Sequence, residues 1–314
     1  MEPLRFEPIF KSMLWGGRRL PGYLGMTAPH DDPIGEAWVL SDVDGSLSRV
    51  AAGEHKGRTL REVIADEPAA VFGAHIPADG RFPLLLKFID ARRELSVQVH
   101  PDDEQAVAHK GLGHRGKTEA WVILDANSET SRIYAGFKPG MTAGDFRSAM
   151  TAGMKAETLN SFTPKPGDCV FLRAGTVHAI GADILLFEVQ QTSDITYRLY
   201  DWDRVDAKTG MPRELHVDAG LDCVNFAAGP CEAVVPNGKT LVDCRYFSLH
   251  RTTLTDGDTL GRVGECRVVV VIGGSGTIGG EPVRVGSVLL LPAAGGVVPC
   301  TGMLELLECG LGVP

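Results

Sequence analysis

The stretch LSVQVHPDDEQA (Leu95–Ala106) decides the reading of the chain. In its first six residues Leu95, Val97 and Val99 alternate with Ser96, Gln98 and His100. Successive side chains of a strand point to opposite faces, so one face is apolar and the other carries a hydroxyl, an amide and an imidazole. Pro101 separates this strand from DDEQAVAH, where Asp102 and, three residues on, Gln105 have the form of a capping box that opens a helix. A polar strand face usually meets water. An imidazole and an amide two residues apart can also converge on a ligand.

Working outward, most apolar segments are equally short and rich in Val, Ile and Leu: EAWVLSD, PLLLKFID, AWVILD, DCVFL, ILLFEVQQ, VVVVIGG and SVLLLPA. Gly, Pro and Asp punctuate them. That spacing predicts a mainly β chain, an antiparallel sandwich or barrel rather than alternating βαβ units. Helical patterns are fewer, with TLREVIADEPAAVFG and TAGDFRSAMTAG (the latter spanning Thr142 to Gly153) the clearest. KPGDCVFLRAGTVH (Lys165–His178) aligns without gaps with RVGSVLLLPAAGGV (Arg284–Val297). Both read as a turn glycine, an apolar strand and a small-residue turn, the pattern of a duplicated barrel in which Val297 takes the place of His178. The expected division is a catalytic unit over residues 1–235, with small helical segments, and a smaller C-terminal β unit over 236–314 without metal.

The bulk numbers bound the function. The chain has 314 residues, 44% hydrophobic and 23% charged, which suits one large or two ordinary globular domains. Its 31 Lys and Arg against 40 Asp and Glu, a net charge of -9, argue against a general binder of nucleic acid or membrane surfaces. A small anion remains compatible, because a few local cations outweigh a distant acidic surface. Seven scattered cysteines, an odd number without a CxxC pair, point to a reducing cytosol rather than a disulfide framework. MEPLRFEPIF lacks the pattern of a signal peptide, and no run approaches the roughly 18 apolar residues of a membrane span. The expectation is a soluble cytoplasmic protein with no obligate protein partner.

In GKTEAWVIL the period-two rule puts Lys117, Glu119, Trp121 and Ile123 on one face and Thr118, Ala120, Val122 and Leu124 on the other. RAGTVHAIG adds His178 after a tight turn. Two imidazoles and a carboxylate suit a divalent transition metal, and the amide oxygen of Gln98 can complete the set. A lone strand histidine is more often a hydrogen-bonded core or surface residue, so spacing alone leaves both readings open.

LSVQVHP, GKTEAW, GTVHAIG and the stretch from Glu188 through TSDITYRLYD occur in that order, with GEAWVLSD and the N-terminal LWGG, over roughly residues 10 to 205. Together they resemble the type I phosphomannose isomerase family in its short bacterial form. The resemblance implies duplicated cupin-type jelly-roll barrels with a few short helices. It also implies one zinc ion per chain, and interconversion of mannose 6-phosphate and fructose 6-phosphate through an enediol-type intermediate. Carried over residue by residue, the metal ligands would be Gln98, His100, Glu119 and His178, and the family's active-site arginine would be Arg198. Eukaryotic members carry a long helical insertion. Here the connection from Glu119 to His178 is short, so the expected site mouth is more open and selectivity among sugars is in question.

The residues themselves fit such chemistry. Isomerisation develops negative charge on a carbonyl oxygen, which a metal with an open position or a fixed cation can stabilise. Arg198 can hold that charge or the phosphate, and alternation groups it with Thr196 and Tyr200. Its bland alternative is a surface cation paired with Asp201 or Asp203. Lys117 can bind phosphate or assist proton transfer, Ser96 can donate to phosphate, and Glu188 is a candidate acid or base with Gln190 facing the same way. Two other readings compete: an iron dioxygenase built on two histidines and a glutamate, and a non-catalytic sugar-binding cupin. Trp15–Gly17 and Glu36–Trp38 are read as shaping the fold or the pocket wall rather than performing chemistry, GGSGTIGG (Gly273–Gly280) as a β-turn rather than a phosphate loop, and Arg92, Arg93, His109 and His114 as solvated.

Overall fold

The computed structural model describes residues 1–152, 156–206 and 209–312. The chain is mainly β, as its strand spacing predicts. Six strands form an antiparallel sheet in the order Ile9–Gly17, Ile34–Leu40, Leu84–Ala91, Ile184–Gln191, Glu119–Ala126, Cys169–Leu172. A second sheet has the order Tyr197–Tyr200, Val97–Val99, His178–Ile180, Ile133–Phe137, Leu159–Phe162. Between them lies a core with Ile89, Trp121, Ile123, Leu172 and Leu186 from the first sheet and Ile133, Ala135 and Ile180 from the second.

Alternation sends the intervening residues of the first sheet outward. Phe88, Phe187, Val189, Ala120 and Val122 meet helices Leu60–Asp66 and Pro68–Phe72, and also Val268, Val270, Leu290, Leu307 and Cys309 of the C-terminal strands. Both faces of the central strands are therefore buried, which is why ILLFEVQQ and PLLLKFID read as almost unbroken apolar runs. The outer face of the second sheet is covered by helices Asp103–Lys110, Ala143–Thr151 and Val217–Cys223, whose Ala106, Phe146 and Leu221 pack on Val97, Val99 and Tyr197.

The Asp102–Gln105 capping box forms as expected, each side chain bonding the other's backbone N–H. TLREVIADEPAAVFG is not one helix but two, because Pro68 cannot continue the first and instead occupies the first turn of the second. The third predicted helix spans Ala143–Thr151 behind the Thr142 cap; Gly153 lies outside the described residues. GGSGTIGG is also different. Gly273–Ile278 are the end of the long Arg267–Ile278 strand, and only Gly279 and Gly280 make the turn. All seven cysteines are free thiols. No helix among the described residues is long and apolar enough to cross a membrane.

The internal echo is structural. Strand Cys169–Leu172 pairs with Glu119–Val122, and Val288–Leu291 pairs with Arg267–Val270 in the same register. Ile123 N donates to Asp168 O and Ile123 O accepts from Gly167 N; Val271 N donates to Ser287 O and Val271 O accepts from Gly286 N. The turn caps match too, Asp168 bonding Lys165 N and Ser287 bonding Arg284 N. In this register Arg267 stands where Glu119 stands, Glu308 where Glu188 does, and His250 where Lys87 does.

Candidate metal centre and active site

The pleat and register of the first sheet assemble two rows of side chains on its inner face. One row runs Trp38, Lys87, Glu188, Trp121 across four strands, and the next runs Leu85, Gln190, Glu119, Leu172. From the facing sheet, Gln98 pairs with both His178 and Arg198. His100 follows the Val97–Val99 strand. The face that opens the sequence reading therefore looks across the sandwich at Glu119.

His100, Glu119 and His178 are each about 99% buried or more, and their ligating atoms lie within 4.8 Å of one another. His178 Nε2 is 3.2 Å from Glu119 Oε1, and His100 Nε2 is 3.6 Å from Oε2. The Gln98 side-chain amide is 3.2 Å from His178 Nε2. Each imidazole is oriented through its other nitrogen: His100 Nδ1 bonds Ile195 O and His178 Nδ1 bonds Thr176 O, both at 2.9 Å. A ring donating from Nδ1 to a carbonyl presents an unprotonated Nε2, the arrangement that metal-bound histidines adopt. Burial, and then the Lys117 ammonium, hold both rings neutral, His100 well below the usual range and His178 down to about 3.

This donor set fits a divalent cation. Both Glu119 oxygens are buried without a hydrogen bond; the Lys117 ammonium is 2.6 Å from Oε2 but off the angle a bond requires. A buried carboxylate whose oxygens accept no hydrogen bond is costly, and a cation among two neutral imidazoles and an amide oxygen would satisfy it.

Beyond the triad the pocket holds more charge than sequence reasoning assigned. Lys87, buried, lies 3.3 Å from Glu188 and 3.6 Å from Glu36. Burial works to lower its pKa, but Glu188, Glu36 and Glu119 outweigh that and raise it, so it is a fixed cation. Glu188 is shifted upward by burial despite Lys87 and Lys117. The signal for Lys87 was present, a lone lysine inside PLLLKFID, but its partners are fixed only by register. Above these groups opens a pocket of about 420 Å³, lined by Ser96, Gln98, Lys117, Glu188, Gln190 and Arg198 among others. Trp15, Glu36 and Trp38 form part of its wall, one of the two structural roles the sequence left open to them.

Arg198 and Thr196 line the pocket, whereas Tyr200 turns away to Asp203, the strand being irregular between Arg198 and Tyr200. Arg198 is not the partner of Asp201, which is held by Arg204 and Arg213. Its Nη1 donates to Glu214 O at 2.8 Å and its Nε is buried without a partner. Burial and the neighbouring Arg213 lower its pKa. Arg213 also lines the pocket, delivered by a loop that carries no periodic signal. His109 and His114 are exposed and away from the triad, as expected.

Comparison with known proteins agrees with this geometry. Residues 4–138 match the family described as phosphomannose isomerase type I, catalytic domain. The chain is 38% identical to mannose-6-phosphate isomerase ManA of Bacillus subtilis over 97% of each sequence. It is 34% identical to the mannose-6-phosphate isomerase of Streptococcus mutans, covering 93% of this chain and 92% of that one. The crystal structure of the Bacillus subtilis mannose 6-phosphate isomerase superposes with a TM-score of 0.89 at 31% identity, over 99% of this chain and 100% of that one. An Archaeoglobus fulgidus structure described as a putative mannosephosphate isomerase shares the fold, with a TM-score of 0.80 at 20% identity. The fold is that of a cupin-type sugar isomerase. This chain belongs to the type I phosphomannose isomerase family.

Removing Lys87 tests the buried charge row. Lys87→Met leaves Glu188 and Glu36 short of a cation and is expected to destabilise the fold by about 3–5 kcal/mol in urea titration. A loss under about 1 kcal/mol would mean that the row is solvated and paired no better than a surface bridge.

Proposed function

We propose that this protein is a zinc-dependent aldose–ketose isomerase that interconverts mannose 6-phosphate and fructose 6-phosphate. One observation carries the reading: a buried carboxylate without a hydrogen bond, Glu119, between two imidazoles held neutral at Nε2 by backbone acceptors on Nδ1, beside a pocket that Gln98, Lys117, Glu188 and Arg198 line. Family membership supports the substrate, and nothing supports a dioxygenase or a non-catalytic binding protein. The division into units 1–235 and 236–314 fits the sheets, whose last strand before it ends at Tyr200 and whose next begins at Thr240. A cytoplasmic location fits the seven free thiols.

In this reading Gln98, His100, Glu119 and His178 hold one zinc ion per chain. When bound, zinc supplies Lewis acidity toward the sugar's carbonyl and hydroxyl oxygens. The remaining work falls to the chain. Glu188 removes the proton from C2 of open-chain mannose 6-phosphate; the C2–H electron pair becomes the C1–C2 double bond, and the carbonyl electrons move to O1. The same proton returns to C1 as O2 loses its own and becomes the ketose carbonyl, while O1 is protonated. Lys117, 3.7 Å from Glu188 Oε1, is placed to donate to the oxygen that gains charge. Ser96 donates to phosphate. Arg198 holds either the phosphate or the enediolate, its planar fork suiting both.

Three measurements follow from these roles. His178→Ala is expected to lose the metal, read by elemental analysis, and with it chelator-sensitive conversion of mannose 6-phosphate in a coupled assay. Full zinc occupancy in that variant would remove His178 from the ligand set. For Glu188, the base must be ionised, and burial raises its pKa above the usual glutamate value. Activity should therefore fall, as pH is lowered, at a higher pH than an ordinary glutamate would give, and Glu188→Gln should abolish that limb with a loss of about 10²–10⁴ in kcat. A wild-type limb at ordinary glutamate pH would deny Glu188 the role. Arg198→Ala separates its two duties: a raised KM at unchanged kcat assigns it to phosphate, and a kcat loss to the enediolate. Normal kinetics in this variant would remove it from the site.

A further inference from the structure

A second, larger cleft of about 940 Å³ lies away from the triad, between the first unit and the mouth of the C-terminal barrel. Its volume is that of a small-molecule site. Its wall is constructed rather than incidental: Asp103, at the start of its helix, accepts from Tyr246 Oη of the other unit at 2.9 Å, from Gly116 N at 2.8 Å and from Gln191 Nε2 at 2.9 Å.

At the end formed by the C-terminal barrel stands Arg267. It occupies the register position that Glu119 holds in the first barrel, so the duplicated site has a guanidinium where its counterpart has a ligating carboxylate. Arg267 is 7% exposed, and its Nε and Nη1 make no hydrogen bond. Nη2 pairs with Glu265, and Nη1 is 3.5 Å from Glu308. Gly310 makes room for it, since a Cβ there would stand 2.3 Å from Nη1. Two further cations line the same end. Arg245 lies over the Tyr246 ring and has no carboxylate partner among the described residues, and exposed Arg262 reaches only to 3.8 Å from Glu265. The acids of the wall are already engaged: Asp79 by Arg115, Asp103 by its three donors, Glu265 by Arg267. Ile76 and Val107, both exposed, give the same cleft apolar lining.

We infer that this cleft binds a small amphiphilic anion, its carboxylate or phosphate head against Arg245, Arg262 and Arg267 and its planar or aliphatic body against Ile76 and Val107. Charge-assisted hydrogen bonds from the guanidinium groups fix the head, and the apolar lining supplies the area that binds the body.

Isothermal titration of the metal-loaded enzyme with 1-naphthyl phosphate, 1-naphthoate and neutral 1-naphthol tests this. At least one anion should bind, one molecule per chain, about tenfold more tightly than 1-naphthol; the stronger of the two names the head group. Because Arg267 is buried and its loss can disturb folding, the deciding variant is the double substitution Arg245→Ser with Arg262→Ser. It should weaken binding by about tenfold and leave turnover unchanged. Arg198→Ala, in the other pocket, should leave binding unaltered. Failure of both anions to bind below about 1 mM, equal binding of 1-naphthol, indifference to the arginine pair, or loss in Arg198→Ala would each overturn the inference.

Discussion

Five charged side chains, Glu36, Lys87, Lys117, Glu119 and Glu188, are buried together around the inner face of the six-stranded sheet. Burying any one of them alone would cost several kcal/mol, so the arrangement stands only if each finds its partners across the strands. Antiparallel register supplies that condition. Lys87 is directly opposite Glu188, and Gln190 opposite Glu119, because the Ile184–Gln191 strand lies between the other two without a shift along that stretch. A slip of one residue would carry the carboxylates to the outer face, among Phe88, Phe187 and Val122. Fold and site are thus fixed by the same pairing.

How much of this can be read from sequence follows from that dependence. Alternation is a property of one strand, so LSVQVH already groups Gln98 with His100, and GKTEAWVIL groups Lys117 with Glu119, each on a single face. Which rows form depends on neighbouring strands distant in sequence, and Lys87, hidden in PLLLKFID, is invisible as a site residue until its register with Glu188 is known. Arg213 arrives on a loop, where no periodicity operates. The glycines of GGSGTIGG mislead for a related reason. A Cβ at Gly276 would stand 1.8 Å from Thr301 O, and Gly274 has φ +78°, so these residues serve a close approach of two backbones within a ladder rather than a turn. Pro68, by contrast, acts locally, and its division of the helical pattern was open to reading from the residue alone.

The charged row also explains why the first barrel requires a cover. Since the inner face is given to polar groups at its mouth, much of the apolar packing of the central strands lies on the outer face, which would be exposed in the first unit by itself. The C-terminal strands close it with Val268, Val270, Leu307 and Cys309. These belong to the same strands whose inward residues include Arg267 and Glu308 at the positions of Glu119 and Glu188.

Strand alternation lets the two faces of one strand be set separately. On the Arg267–Ile278 strand, replacing an acid by arginine on the inward side ends any likeness to a metal site without disturbing the outward valines that pack on the first unit. The two copies therefore differ at Glu119, matched in register by Arg267, and at His178, matched in the sequence alignment by Val297. They agree most in the hydrogen bonds of the turn, Ile123 to Asp168 and Val271 to Ser287, that hold the paired strands in register. Backbone pairing preserves the architecture, and side chains alternating on it decide which barrel can take a cation.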